Sequence, residues 1–248
     1  MASSNSFKTV SKLFETLCNH QNPYRIWNDA MTIYATMIAN SINCSICWKE
    51  REQLYLDTVK PYTQEELRTF AQIFAEIVKI LDENPFQDCL GTMYMELGIG
   101  NKNTGQFFTP YHISQLMAES MVTKEVVAKE LKKTGYLTLN EPACGAGANL
   151  IAACEVLHKM GVDYQRKVFI VAQDVDSTVA SMCYVQLSLI GCIGYVRIGD
   201  TLRKPITAPL IVGERNPQTW YTPMWYLRSE WTEEMLIDEI RQISRRRV

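Results

Sequence analysis

The sequence predicts an α/β protein, a parallel sheet with crossover helices preceded by a helical segment. Three observations predict it. Up to about residue 100 the apolar residues recur at helical spacing and no strand-like run interrupts them. From residue 109 onward, short β-branched runs alternate with helical stretches, the pattern of a parallel sheet. Between the two regimes lies Leu97 to Gly105 (LGIGNKNTG), a polar, glycine-rich break. This break sets a boundary between a helical N-terminal domain, 1–100, and an α/β domain with a C-terminal helix, 101–248.

Taken in order, Ile26 to Ile42 reads as a helix rich in Met, Ala and Ile. Thr63 caps the next helix and Glu66, three residues on, completes a capping box. Leu67, Phe70, Phe74, Ile77, Val78 and Leu81 then give that helix an apolar stripe, and Asn84-Pro85 stops it. Thr109-Pro110 reads as a helix start, threonine as cap and proline at the first helical position, with Ile113, Leu116, Met117 and Met121 as the packing face. Strands are expected at Tyr136–Leu139, Val168–Ala172 and Tyr195–Ile198, with a fourth at Pro209–Val212. Helices are expected at Ala148–Met160, Ser177–Ile190 and from about Thr232.

Composition narrows the function. Hydrophobic residues make up 47% of 248, enough for a sizeable core, and the formal net charge of -2 gives no global attraction to nucleic acid. The 8 cysteines have irregular spacing. Cys44 and Cys47 form one close pair, but no second pair and no histidine (His20, His112, His158) completes a metal-ligand set, so no metal is expected and the thiols read as buried and reduced. Met1 to Thr9 lacks a signal-peptide pattern, and no apolar run approaches the roughly 20 residues needed to span a bilayer. A cytoplasmic protein without a membrane partner is the expectation.

The chemistry-bearing positions fall at the strand ends. The first strand leads into Glu141-Pro142-Ala143-Cys144-Gly145-Ala146-Gly147, the second into Gln173-Asp174, the third into Gly199-Asp200-Thr201-Leu202. In a parallel sheet these ends share one edge, where α/β folds bind ligands. Three acceptors beside a glycine turn suit a ligand that carries an amine, ribose hydroxyls and an exocyclic amino group. The turn lacks the third glycine of a dinucleotide fingerprint and the lysine of a P-loop. Cys144 reads as a small residue that fits the bend.

Together with Gly105-Gln106-Phe107-Phe108-Thr109-Pro110 and the lead-in Asn84-Pro85-Phe86-Gln87-Asp88-Cys89-Leu90-Gly91, these motifs follow the order and spacing of adenine-N6 DNA methyltransferases. The chain resembles that family over about 84–202, and in particular the modification subunit of type I restriction-modification systems. The resemblance implies a Rossmann-like S-adenosylmethionine-dependent methyltransferase domain, with DNA as substrate and specificity or restriction subunits as possible partners. It implies that Gln106, Phe107, Phe108 and Thr109 surround the methionine portion of the cofactor. Glu141, Ala143, Gly145 and Asn149 would line the turn, Asp174 would accept from the ribose, and Asp200, with Leu202, would hold the adenine.

The chain departs from the family where the acceptor should bind. The family's Asn/Asp-Pro-Pro-aromatic motif holds and stacks on a flipped base, and no such tetrapeptide occurs. Asn216-Pro217-Gln218-Thr219 is the nearest candidate, with Trp220 and Tyr221 just beyond; Asn216, Pro217 and Tyr221 are the candidate catalytic residues. Few elements follow, so the sheet is expected to be incomplete. The alternative is a cofactor-binding relative without turnover, acting in regulation or assembly; a methyltransferase for a protein or small molecule is a third reading.

Overall fold

Side-chain caps start five of the described helices, those beginning at Pro23, Gln64, Cys89, Lys124 and Ser177. In the computed structural model, which describes residues 4–19, 21–42, 45–99, 108–206, 215–227 and 237, five helices come first: α1 (Ser4–Leu17), α2 (Pro23–Asn40), α3 (Trp48–Val59), α4 (Gln64–Glu83) and α5 (Cys89–Glu96). Asn22 accepts from the Tyr24 N–H at the start of α2, with Pro23 inside the first turn. The expected capping box at Thr63 and Glu66 is present on α4, and Asn84 ends that helix. Of the expected α4 stripe, Phe70, Ile77 and Leu81 are buried, while Val78 faces outward at 38% exposure.

The second half contains α6 (Tyr111–Met121), α7 (Lys124–Thr134), β1 (Leu137–Glu141), α8 (Ala148–Lys159), α9 (Tyr164–Lys167), β2 (Val168–Asp174), α10 (Ser177–Leu189), β3 (Ile193–Ile198), β4 (Thr219–Tyr221) and α11 (Pro223–Leu227). The sheet order is β1-β2-β3-β4. β1, β2 and β3 are parallel, and β4 runs antiparallel to β3. The first three strands and the helices between them lie where the sequence places them, within a residue or two. The expected fourth strand at Pro209–Val212 and, apart from the helical Ile237, the helix from Thr232 lie outside the described residues, as does most of the 97–105 break. β4 forms instead from Thr219-Trp220-Tyr221, read from sequence as loop.

Helices α8 and α10 bury one face of the sheet, and the N-terminal helices pack behind them. One cluster of buried side chains runs from Val10 through Trp27, Tyr34 and Tyr94 to Ile170, Met182 and Val196, so the two halves share a core. At the seam between α2 and α10, Trp27 Nε1 donates to Met182 Sδ at 3.4 Å and Thr178 Oγ1 donates to Asn28 Oδ1 at 2.8 Å. The seam between α3 and the sheet depends on Arg51, which is 3% exposed. Its guanidinium donates to the carbonyls of Ile46 and Thr219 and lies 4.8 Å over the Trp220 ring.

Helix α6 differs from expectation in two ways. Pro110, with extended backbone, is the cap residue, and its carbonyl accepts from Ile113 and Ser114, which leaves Thr109 one residue outside the helix. The face that packs is the small one. Ser114 and Ala118 are buried, and Ala118 clusters with Ala152 and Val156 of α8, while Ile113, Leu116, Met117 and Met121 point outward. Small side chains let two helices approach closely, and that closeness selects the face. Glu155 fixes the docking. Its Oε2 accepts from Tyr111 Oη at 2.9 Å and Gln115 Nε2 at 2.8 Å, and Lys159 lies 2.8 Å from Oε1. Burial pushes this carboxyl up, but the Lys159, Gln115 and Tyr111 contacts outweigh it and hold the group below its ordinary value.

Two outcomes follow. Arg51→Ala strands the buried Thr219 carbonyl and the half-buried Ile46 carbonyl and should cost about 2–4 kcal/mol in denaturant unfolding. Because the Glu155 carboxyl is lowered in the folded state, its contribution is full above the ordinary glutamate range and is lost as pH falls through the lowered value. Hydrogen exchange should therefore show α6 loosening from α8 in acid before the sheet does, with Glu155→Gln reducing that acid sensitivity.

Candidate functional site

The parallel register aligns the three strand ends. Glu141 pairs opposite Ala172, and Asp174 pairs opposite Ile198, with Asp200 two residues beyond. Neighbouring strands lie about 4.8 Å apart, so Glu141, Asp174 and Asp200 lie along one edge of the sheet, on the same side of the pleat. Two contacts tie the loops at this edge. The Gly145 N–H donates to Asp174 Oδ2 at 2.9 Å, and Thr201 Oγ1 donates to the Pro142 carbonyl, joining the β1 and β3 loops.

The glycine turn is shaped by backbone chemistry. Cys144 N–H donates to the Gln173 carbonyl at 2.9 Å, and Gly147 N–H to the Cys144 carbonyl at 2.8 Å. Gly147 has φ 101°, a left-handed backbone that favours glycine, and a Cβ there would crowd Cys183 Sγ at 3.1 Å. The Phe108 ring covers the turn, 3.5 Å from where a Gly145 Cβ would be, and packs against Tyr94 at 5.4 Å between centroids.

Each acid makes local contacts and keeps spare acceptor capacity, since a carboxylate has about four lone-pair sites. Glu141 accepts from Asn149 Nδ2 at 3.1 Å and Ala143 N–H at 3.3 Å. Asp174 Oδ1 accepts from Asp176 N–H at 3.0 Å. Asp200 Oδ1 caps its own turn, accepting from Leu202 N–H at 2.9 Å and Arg203 N–H at 3.2 Å. Asn149 Oδ1 is buried without a partner among the described residues. Val175 and Leu202, directly after the β2 acid and two residues after the β3 acid, place apolar side chains in solvent near the same edge, at 71% and 95% exposure. Leu202 is among the residues singled out in the sequence; Val175 is not, although a branched apolar residue following a strand-ending acid is a readable signal.

Of the remaining sequence candidates, Gln106 and Phe107 lie outside the described residues, and Thr109 and Ala143 are exposed. The candidate acceptor residues lie beyond β3, on the side of the sheet away from β1. Tyr221 is 3% exposed in β4, packed against Tyr195 at 5.3 Å and Trp225 at 4.5 Å between ring centroids, so its ring faces no ligand. Asn216 folds its side chain onto its own turn, its Oδ1 accepting from Gln218 N–H at 2.9 Å. The Gln218 carbonyl accepts from Ile198 N–H, which fixes this turn beyond β3. Three strand spacings, about 14 Å, separate β4 from β1. Pro217 and Gln218 line a separate cleft of 350 Å³ with Arg51, Ser177 and Trp220. On the opposite side of the sheet, a cavity of 130 Å³ opens between α6 and the outer side of β1, lined by Met117, Met121, Leu139, Glu141 and Asn149.

The N-6 DNA methylase family profile matches residues 87–241. No curated protein matches the chain. Among solved structures, a candidate class I S-adenosylmethionine-dependent methyltransferase from Listeria monocytogenes is similar at 18% identity with a TM-score of 0.45, over 84% of this chain and 56% of that one. The type I restriction-modification methyltransferase subunit from Streptococcus thermophilus is similar at 14% identity with a TM-score of 0.43, over 84% of this chain and 61% of that one. The chain thus spans about six tenths of the length of these two structures.

Gly147→Ala should destabilise the protein by about 1–3 kcal/mol, from the left-handed backbone and the contact with Cys183. Thermal unfolding measures the loss.

Proposed function

The chain belongs to the N-6 DNA methylase family, and on that basis we propose that its crevice binds S-adenosylmethionine for methyl transfer to the N6 amino group of adenine in DNA. The observation that carries this reading is the convergence of Glu141, Asp174 and Asp200 on one sheet edge, beside a glycine turn covered by Phe108.

The residues present fit the cofactor's polar groups. Glu141, next to the unpartnered Asn149 Oδ1, offers acceptors for the α-ammonium group. Asp174 accepts from the ribose diol, and Asp200 from the adenine amino group. Val175 and Leu202 provide apolar contact for the purine ring, and Phe108 for the methionine chain. When bound, the cofactor supplies an electrophilic methyl group on a sulfonium. The protein's part is then placement, holding donor and acceptor in line and excluding water.

In this reading the methyl end of the cofactor would lie on the β1 side and its purine end on the β3 side. The acceptor base therefore approaches from the free side of β1, where Met117, Met121 and Leu139 line the cavity beside Glu141. Asn216 lies at the purine end and does not take part in transfer. The burial of Tyr221 and the position of Asn216 favour a second reading, cofactor binding without turnover by this chain alone, in which acceptor-binding groups come from another subunit.

Calorimetry with S-adenosylmethionine, together with transfer of labelled methyl to adenine-containing DNA, separates the readings. Binding that falls at least about tenfold in Asp174→Ala, with transfer unaffected by Asn216→Ala, is expected of the first. Binding without transfer, at high protein concentration and across varied DNA, is expected of the second. Absence of binding contradicts both.

A further inference from the structure

A glycine turn has wide conformational freedom, so holding it in one shape requires fixed partners. Three of its backbone contacts come from the turn itself and from β2: Gly147 N–H to Cys144, Cys144 N–H to Gln173, and Gly145 N–H to Asp174. A fourth comes from a helix distant in sequence. Gln186 of α10, 0% exposed, donates from Nε2 to the Ala146 carbonyl at 2.7 Å. Ala146 lies between Gly145 and Gly147, whose φ values are 51° and 101°. Its carbonyl therefore sets the orientation of the peptide that leads into α8.

The same amide holds the start of α5. Gln186 Nε2 also donates to Asp88 Oδ1 at 3.0 Å, and Gln186 Oε1 accepts from the Leu90 N–H at 3.0 Å. Asp88, 5% exposed, accepts in turn from the Gly91 N–H at 2.9 Å as the cap of α5. Both amide hydrogens and the amide oxygen of Gln186 are thus used in a dry environment, where each contact is hard to replace by water.

We propose that Gln186 is a positioning residue for the cofactor turn, coupling the first turn of α5 to the orientation of the Ala146–Gly147 peptide through one buried amide. Its role in affinity rests on the reading of the crevice as a cofactor site; its role in shaping the turn does not. Asp88 and Gly91 complete the link on the α5 side. A Cβ at Gly91 would fall 2.0 Å from Asp88 Oδ2, so Gly91→Ala displaces the Asp88 carboxylate without touching Gln186 or the turn.

The test compares the wild type with Gln186→Met, which keeps volume and removes all three contacts, and with Gly91→Ala. Amide hydrogen exchange is read at Cys144, Gly145 and Gly147 against the β2 amides, with denaturant unfolding as the control for global stability. Exchange at the turn in Gln186→Met should rise about tenfold beyond any change in β2, the factor expected for loss of one buried hydrogen bond. Gly91→Ala should give a smaller rise at the same amides. S-adenosylmethionine affinity should fall by a comparable factor in Gln186→Met. Gln186→Glu should not restore it, because a carboxylate lacks the two donors. Turn amides that change only in step with β2 reduce Gln186 to ordinary core packing and overturn the proposal. If the wild type binds no S-adenosylmethionine, the cofactor reading fails, and the exchange comparison still decides whether Gln186 shapes the turn.

Discussion

The site depends on the parallel register of β1, β2 and β3. Parallel pairing brings all three carboxyl ends to one edge, and the crossovers through α8 and α10 keep the opposite ends away from it. The Gly145 N–H to Asp174 contact converts that alignment into a shaped crevice, because it ties the loop after β1 to the acid that ends β2. A one-residue slip between β1 and β2 would turn Glu141 to the other face of the sheet and separate it from Asp174. The buried core is what prevents the slip. β1 alternates, with Leu137 and Leu139 on the covered face and Thr138 and Asn140 exposed, so a slip would carry its apolar side chains to solvent.

Strand order carries as much functional information as the motifs themselves. Among the described residues the outer side of β1 has no strand partner, while the side beyond β3 is filled by β4 and clamped by Arg51. The edge is therefore asymmetric, with acids at its centre, an aromatic clamp at one end and an apolar-walled cavity at the other. Exposed Leu116, Met117 and Met121 belong to the same end as that cavity. An acceptor or a second subunit arriving at the crevice meets apolar side chains there, and meets the closed β3–β4 seam on the opposite side.

The elements legible in the sequence are those whose signals are local. The capping box of Thr63 and Glu66, the β-branched run of β2 and the position of the strand-end acids at one edge are each announced within a few residues. What was not legible depends on partners far along the chain. The packing face of α6 was misread because hydrophobic periodicity favours Leu116 and Met121, whereas close approach to Ala152 selects Ser114 and Ala118. Tyr221 looked available to stack on a base, but a three-residue strand pairing with Tyr195, Val196 and Arg197 buries it. Trp220 and Thr219 are held by Arg51, 168 residues earlier than Thr219, a contact no local pattern announces. Gln186 is invisible for the same reason: it is one of several polar residues in α10 until Ala146 and Leu90 are seen beside it.

The proposed site for S-adenosylmethionine runs along the ends of β1, β2 and β3, with the methyl end on the β1 side. Amide chemical-shift mapping of the full chain during titration with S-adenosylmethionine tests it most directly. The account predicts saturable shifts at Gly145, Asp174 to Asp176 and Asp200 to Leu202, extending to the α6 residues beside β1. Shifts confined to the Arg51–Gln218 cleft, or none at saturating ligand, would contradict it.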